Sequence, residues 1–209
     1  MVERNCTLPF CFYCLTDDID DLPEYVIGIQ LDPNLDLESY WWKMCLFQLN
    51  WNKPTMYFDL DIIIQNNFDH LFKQITKNKI LTIRPDDAGI DRSQEKFIKH
   101  IAIINSSILG LVPCNHLQLF DDFILNVDYN ILEYVGMDRY LSNFLDHFNF
   151  IKFKEYYHRW KDDMTPSKYC ANKVINGVPY NLAHDPTKTF CIISQAESEM
   201  YQGLEKYFL

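Results

Sequence analysis

Two carboxylates stand one residue apart at Asp59-Leu60-Asp61, between the apolar runs Met56-Tyr57-Phe58 and Ile62-Ile63-Ile64. On extended backbone, residues i and i+2 face the same side. The spacing therefore predicts that both acids converge on one point while Leu60 turns back into the core. Two acids that close raise each other's pKa unless a cation stands between them. A hard divalent ion with oxygen ligands, Mn²⁺ or Mg²⁺, resolves the conflict. Such an ion also stabilises a departing diphosphate, by several kcal/mol of developing charge. The formal net charge of -10 points the same way. It makes nucleic acid a poor partner, because phosphate binding needs a basic footprint. It would also repel any anionic ligand that lacked a neutralising cation.

The elements that must position these acids are legible in outline. Phe10 to Leu15 reads as a buried strand with the polar tip Thr16-Asp17-Asp18, and Tyr25 to Leu31 as a second strand. Asp36 opens a helix through Leu49 whose apolar density predicts packing on a sheet. Lys53-Pro54 breaks the chain, and Thr55 to Phe58 enters the strand that carries the acid pair. Phe68, Leu71, Phe72 and Ile75 have helical spacing, and Ile80 to Ile83 is a strand candidate followed by a loop at Arg84 to Gly89. Ile101 to Ile104 reads as a strand ending in Asn105-Ser106-Ser107. Phe120 to Tyr134 reads as a helix or helix pair, and Asp138 to Phe148 as a further helix opened by Gly136-Met137. A late strand is expected at Phe190 to Ile193 and a terminal helix over Glu197 to Tyr207. Alternating strands and helices argue an α/β sandwich with a mostly parallel sheet. No linker divides the 209 residues, so one domain over 1–209 is expected, as a whole protein or as the N-terminal part of a longer polypeptide.

Seven cysteines, odd in number and scattered, fit reduced thiols and a cytoplasmic location better than a disulfide framework. Cys11 and Cys14 have redox or zinc spacing but no second pair nearby, and read as core thiols. Met1 to Asn5 runs straight into the first strand, so no signal peptide is expected. No apolar run approaches a membrane span. Asp86-Asp87 and Asp162-Asp163 read as solvated loop acids. Tyr156, Tyr157 and Trp160 read as helix core, or as a platform on which a sugar ring could stack.

A resemblance adds to this reading. Trp41-Trp42-Lys43-Met44-Cys45-Leu46-Phe47, a short gap, and Tyr57-Phe58-Asp59-Leu60-Asp61 resemble a block of the DxD glycosyltransferases of the GT-A fold. Asn105-Ser106-Ser107 and Gly136-Met137-Asp138-Arg139-Tyr140-Leu141-Ser142 resemble two later blocks, in the same order and at similar spacing. Over roughly residues 8 to 160 the chain is similar to the glycosyltransferases encoded by large algal (chlorella) viruses. The resemblance implies a GT-A-type, mixed and mostly parallel sheet flanked by helices, a UDP-sugar donor, Mn²⁺ or Mg²⁺, and a glycan acceptor, in a virus one destined for the coat protein. It places Leu15, Thr16 and Asp17 on the nucleotide pocket and Lys43 near base or phosphates. Asp59 would contact ribose or donor sugar and bridge to the ion, and Asp61 would be the principal ligand. Asn105 and Ser106 would reach sugar hydroxyls or the acceptor side, and Asp138 would bond the donor sugar, or act as base if the enzyme inverts. The third metal ligand would be His184, with Lys188 on the diphosphate. The family's usual His-x-x-Gly followed by Lys-Pro is not present around His184. A retaining outcome is expected, because no residue stands out as an inverting base.

Each of these residues also has a plainer role. Lys43 can be a helix residue whose stem snorkels from a packed face. Asn105 and Ser106 can form a turn, Asp138 can be a first-turn acid favoured by the helix dipole, and His184 a surface loop residue. Two rival functions share the acid pair. A haloacid-dehalogenase-like phosphatase would use Asp59 as nucleophile, but its motif usually opens the chain and continues differently from Ile62-Ile63. A GT-A-shaped binding or structural subunit would need no intact acids.

Overall fold

The computed structural model describes residues 1–37, 39–60, 62–75, 79–83, 102–112, 116–134, 136–151, 156–159, 174–175, 178–179 and 191–194; for 39, 63 and the strands after residue 151 it describes backbone only. The protein is mixed α/β. A short helix α1 (Val2–Asn5) precedes the parallel pair β1 (Phe12–Thr16) and β2 (Val26–Gln30). A 3₁₀ helix, Ser39–Phe47, leads to β3 (Thr55–Phe58), β4 (Ile62–Ile64), α2 (Asp69–Phe72), β5 (Ile80–Ile83) and β6 (Asn105–Leu111). Then come α3 (Leu117–Ile124), α4 (Val127–Tyr134), α5 (Met137–Leu141), a second 3₁₀ helix (Ser142–His147) and β7 (Phe148–Phe150). The strands β8 (Tyr156–Arg159), β9 (Val174–Ile175), β10 (Val178–Pro179) and β11 (Cys191–Ser194) follow.

The sheet whose strand β3 ends just before Asp59 is four-stranded, in the order β3-β6-β5-β7. Its two faces bury different sets, as strand alternation requires. Tyr57, Ile80, Leu109, Leu111 and Phe148 face one core with the first 3₁₀ helix, α3 and α5. Met56, Phe58, Leu81, Ile83 and Ile108 face the other, with β4, α2 and the N-terminal segment. Within the first core, Trp41 stacks on Phe123 at 5.1 Å and 17°, and Tyr140 meets both rings edge-on. These three rings tie the 3₁₀ helix, α3 and α5 into one layer. Winding at three residues per turn puts Trp41, Met44 and Phe47 in a single row, and all three are buried. That row explains why the stretch expected as an α-helix from Asp36 to Leu49 coils more tightly.

Further expectations are corrected. The sheets are mixed rather than mostly parallel: β3–β6, β5–β6, β4–β11 and β9–β10 are antiparallel, against parallel β1–β2, β5–β7 and β8–β11. The strand expected at Ile101 to Ile104 begins instead at Asn105, where it was expected to end. Cys11 is exposed and Cys14 half-buried, so neither is a core thiol; both are free, as are the buried Cys6 and Cys45. Phe148 opens β7 instead of closing a helix, and Tyr156 and Tyr157 lie on a strand.

The parallel pair β1–β2 is closed by only residues 17–25, shorter than the dozen or more residues such crossovers usually take. Gly28 permits it. A Cβ there would lie 2.7 Å from Ile19 Cγ2 and 2.9 Å from Leu22 Cδ1, so the crossover rests directly on the bare strand. No helix among the described residues is long and apolar enough to cross a membrane. The expected terminal helix, the loop at 84–89, Asp162-Asp163 and Trp160 lie outside the described residues.

Candidate functional site

Asp59 follows the last residue of β3, and its N–H donates to the Ser107 carbonyl at 2.9 Å. Because β6 runs antiparallel to β3, the first residues of β6 lie beside the carboxyl end of β3. That is how Asn105 and Ser106 reach the acid although they begin a strand instead of following one. The ladder between β5 and β6 also jumps, from Thr82 opposite Leu109 to Ile83 opposite Asn105. Such a bulge re-aims the residues it carries. Here it turns the Ser106 N–H to Asp138 on α5, whose Oδ1 accepts it at 2.9 Å.

The chain then reverses, with Ile62 N–H donating to the Asp59 carbonyl at 3.1 Å, and Leu60 is fully exposed on this turn. The expectation that extended backbone sends Leu60 into the core is therefore wrong. Strand alternation ends at Asp59, because the turn and not the pleat sets the direction of the next side chain. Asp61 lies outside the described residues, as do His184 and Lys188.

Asp59 is held on two sides. Tyr57, two residues earlier and on the same strand face, donates its hydroxyl to Oδ1 at 2.5 Å. The Lys43 ammonium donates to both oxygens, at 3.1 and 3.0 Å. Lys43 comes from the first 3₁₀ helix, and its Nζ lies 6.0 Å from the centroid of the Tyr57 ring. The side chains are 16% and 22% exposed, so water still reaches the pair.

Asp138 completes the group. Burial raises its carboxyl above the ordinary range; Ser106 and the Lys43 charge pull it back, and the Asp59 charge adds to the rise. Lys43 and Asp59 thus lie within electrostatic reach of Asp138. Ser142 fixes the segment from behind. Its hydroxyl donates to the Asp138 carbonyl at 2.6 Å and accepts the N–H groups of Ile103 and Ile104 at 2.8 and 3.1 Å. One hydroxyl has one donor and two acceptor positions, and here all are used. Asn105 turns its own side chain inward, its Oδ1 accepting the Ser107 N–H at 2.9 Å.

Of the residues singled out from sequence, Lys43, Asp59, Asn105, Ser106 and Asp138 are brought together by the end of β3. Leu15, Thr16 and Asp17 belong to the end of β1, where Leu15 packs into the larger core. The Thr16 carbonyl accepts the Leu31 N–H at 2.9 Å, and Gln30 Nε2 donates to the Asp17 carbonyl at 2.7 Å. Their hydrogen bonds run to β2 and the crossover, not to Lys43 or Asp59. Sequence reasoning missed Tyr57 and Ser142. Both had a signal: Tyr57 stands two residues before Asp59 on a strand, and Ser142 four residues after Asp138, the distance at which a helical serine bonds back to a carbonyl.

Asp59 suits a hard divalent ion in kind, with two carboxylate oxygens partly open to water and already facing a cation. Among the described residues no three His, Cys, Asp or Glu side chains gather to hold a metal. The other two ligands expected, Asp61 and His184, fall outside those residues. A scan against protein-family models finds no match, and no curated protein matches the chain.

Proposed function

We propose that the chain is a GT-A-type, metal-dependent glycosyltransferase that takes a sugar from a UDP-sugar and passes it to a hydroxyl of a glycan acceptor, with retention. One observation supports this above the others. Three sequence blocks, one carrying Lys43 and Asp59, one Asn105-Ser106 and one Asp138, meet at the carboxyl end of one strand. Those are the blocks on which the resemblance to DxD glycosyltransferases rests.

In this reading Asp59 and Asp61 hold Mn²⁺ or Mg²⁺, with His184 as the third ligand. The ion supplies counter-charge for the departing diphosphate. Lys43 carries the one ammonium in the described cluster and is the group that meets phosphate oxygens, with Lys188 beside it. Asp138, held by the Ser106 amide, is fixed in position to accept a hydrogen bond from a sugar hydroxyl. Leu15, Thr16 and Asp17 receive the nucleotide at the end of β1.

The test is equilibrium binding of UDP with and without Mn²⁺. The expected result is binding that requires the ion and is abolished by Asp61→Ala. UDP binding that ignores the metal, or survives Asp61→Ala, removes the assignment. Hydrolysis of a phosphomonoester by the same preparation would move the chain to the phosphatase class.

A further inference from the structure

Resting on the transferase reading, we infer that Lys43 is a built-in counter-ion that excludes the divalent cation from Asp59 until a nucleotide diphosphate draws it away. The ammonium contacts both oxygens of Asp59, at 3.1 and 3.0 Å, which is where a cation bridging that carboxylate would sit. The Tyr57 hydroxyl takes a further position on Oδ1, so the carboxylate is turned toward Lys43.

A doubly charged ion placed on Asp59 would stand within a few ångströms of the Lys43 charge, and like charges at that range repel strongly when water is partly excluded. Metal and ammonium therefore compete for one carboxylate. A diphosphate changes the balance, since its oxygens accept both cations at once. Lys43 moves to phosphate, Asp59 is released to the ion, and donor and metal bind as a pair. No bond is made or broken in this exchange; it redistributes two cations over a carboxylate and a diphosphate.

The experiment titrates Mn²⁺ alone into the full chain and reads free Mn²⁺ by its electron spin resonance signal. Lys43→Met is expected to tighten Mn²⁺ binding about tenfold or more while weakening UDP binding at saturating Mn²⁺. Lys43→Arg, which keeps the charge, is expected to leave Mn²⁺ binding weak. Lys43→Gln gives a second neutral side chain should Met perturb the fold, with near-ultraviolet circular dichroism as the check. Equal Mn²⁺ affinity in wild type and both neutral variants, with Mn²⁺-dependent UDP binding intact, overturns the counter-ion role and leaves the transferase reading standing. Absence of both Mn²⁺ and UDP binding in every variant overturns the two together.

Discussion

Asp59 and Asp138 are both carboxyl groups within electrostatic reach of one ammonium, and their surroundings treat them differently. Asp59 has the Lys43 ion pair and the Tyr57 hydroxyl, whereas burial pushes Asp138 up. Because the folded Asp138 binds its proton more tightly than the unfolded one, its contribution to stability is fully present below the ordinary value of 3.8. It is lost as pH rises through the folded value. Asp138→Asn keeps an oxygen for the Ser106 N–H but stays neutral. Its melting temperature should therefore gain on wild type as pH rises above 3.8, and a thermal scan against pH reads this directly. A gap that stays flat with pH would mean that Asp138 does not titrate in this range. At this scale the sequence was informative about which residues meet but not about what each one touches. Asp59 stood out by type and spacing, and Lys43 and Asp138 by the resemblance to DxD glycosyltransferases. The pairing of Lys43 with Asp59 did not, because it depends on a 3₁₀ winding and a side-chain reach that no local pattern encodes.

Elements were readable where periodicity was strong and misread where turn chemistry competed. Asn105-Ser106-Ser107 has the composition of a turn, since these side chains bond nearby backbone. The three residues do both: the Asn105 oxygen accepts the Ser107 N–H, and the stretch opens β6, with Asn105 opposite Ile83 and the Ser107 carbonyl accepting the Asp59 N–H. The apolar run before them looked like the strand, while Ile108, Leu109 and Leu111 are its buried part. Gly136 was read correctly as the opening of a helix, and the structure shows why that residue is needed. Its φ of 153° lies in a region essentially restricted to glycine, and no atom lies within 4 Å of where a Cβ would be. The cost of a side chain there is thus conformational and not steric. Gly136→Ala should destabilise the chain by about 1–3 kcal/mol in urea unfolding. It should also displace Asp138 two residues on, weakening donor binding more than the stability loss alone explains. An unchanged unfolding midpoint would show that alanine adopts this backbone without cost.

At the scale of the molecule, the α/β class followed from the alternation of apolar strands and helices, but strand direction did not. Periodicity marks a segment as extended without saying which way it runs, and direction is settled by distant pairing. The aromatic layer was visible only as a count of large residues. Its organisation around Trp41, Phe123 and Tyr140 joins three helices over the sheet. Trp41→Ala should cost about 3–5 kcal/mol, a large share of the roughly 5–15 kcal/mol that holds a domain together. Loss of the cooperative thermal transition is the expected readout, and a shift of only a few degrees would place the weight of the core elsewhere. Beside the side chains of Lys43 and Tyr57, peptide groups help to set the two carboxylates: Asp138 takes the amide of residue 106, Asp59 gives its own to the carbonyl of residue 107, and the amide of 107 is committed to Asn105. Descendants of this gene are therefore free to vary the side chain at 107 and keep these contacts, whereas the buried side chain at 106 also bonds Asp138. Only proline, which has no amide hydrogen, is barred from both places.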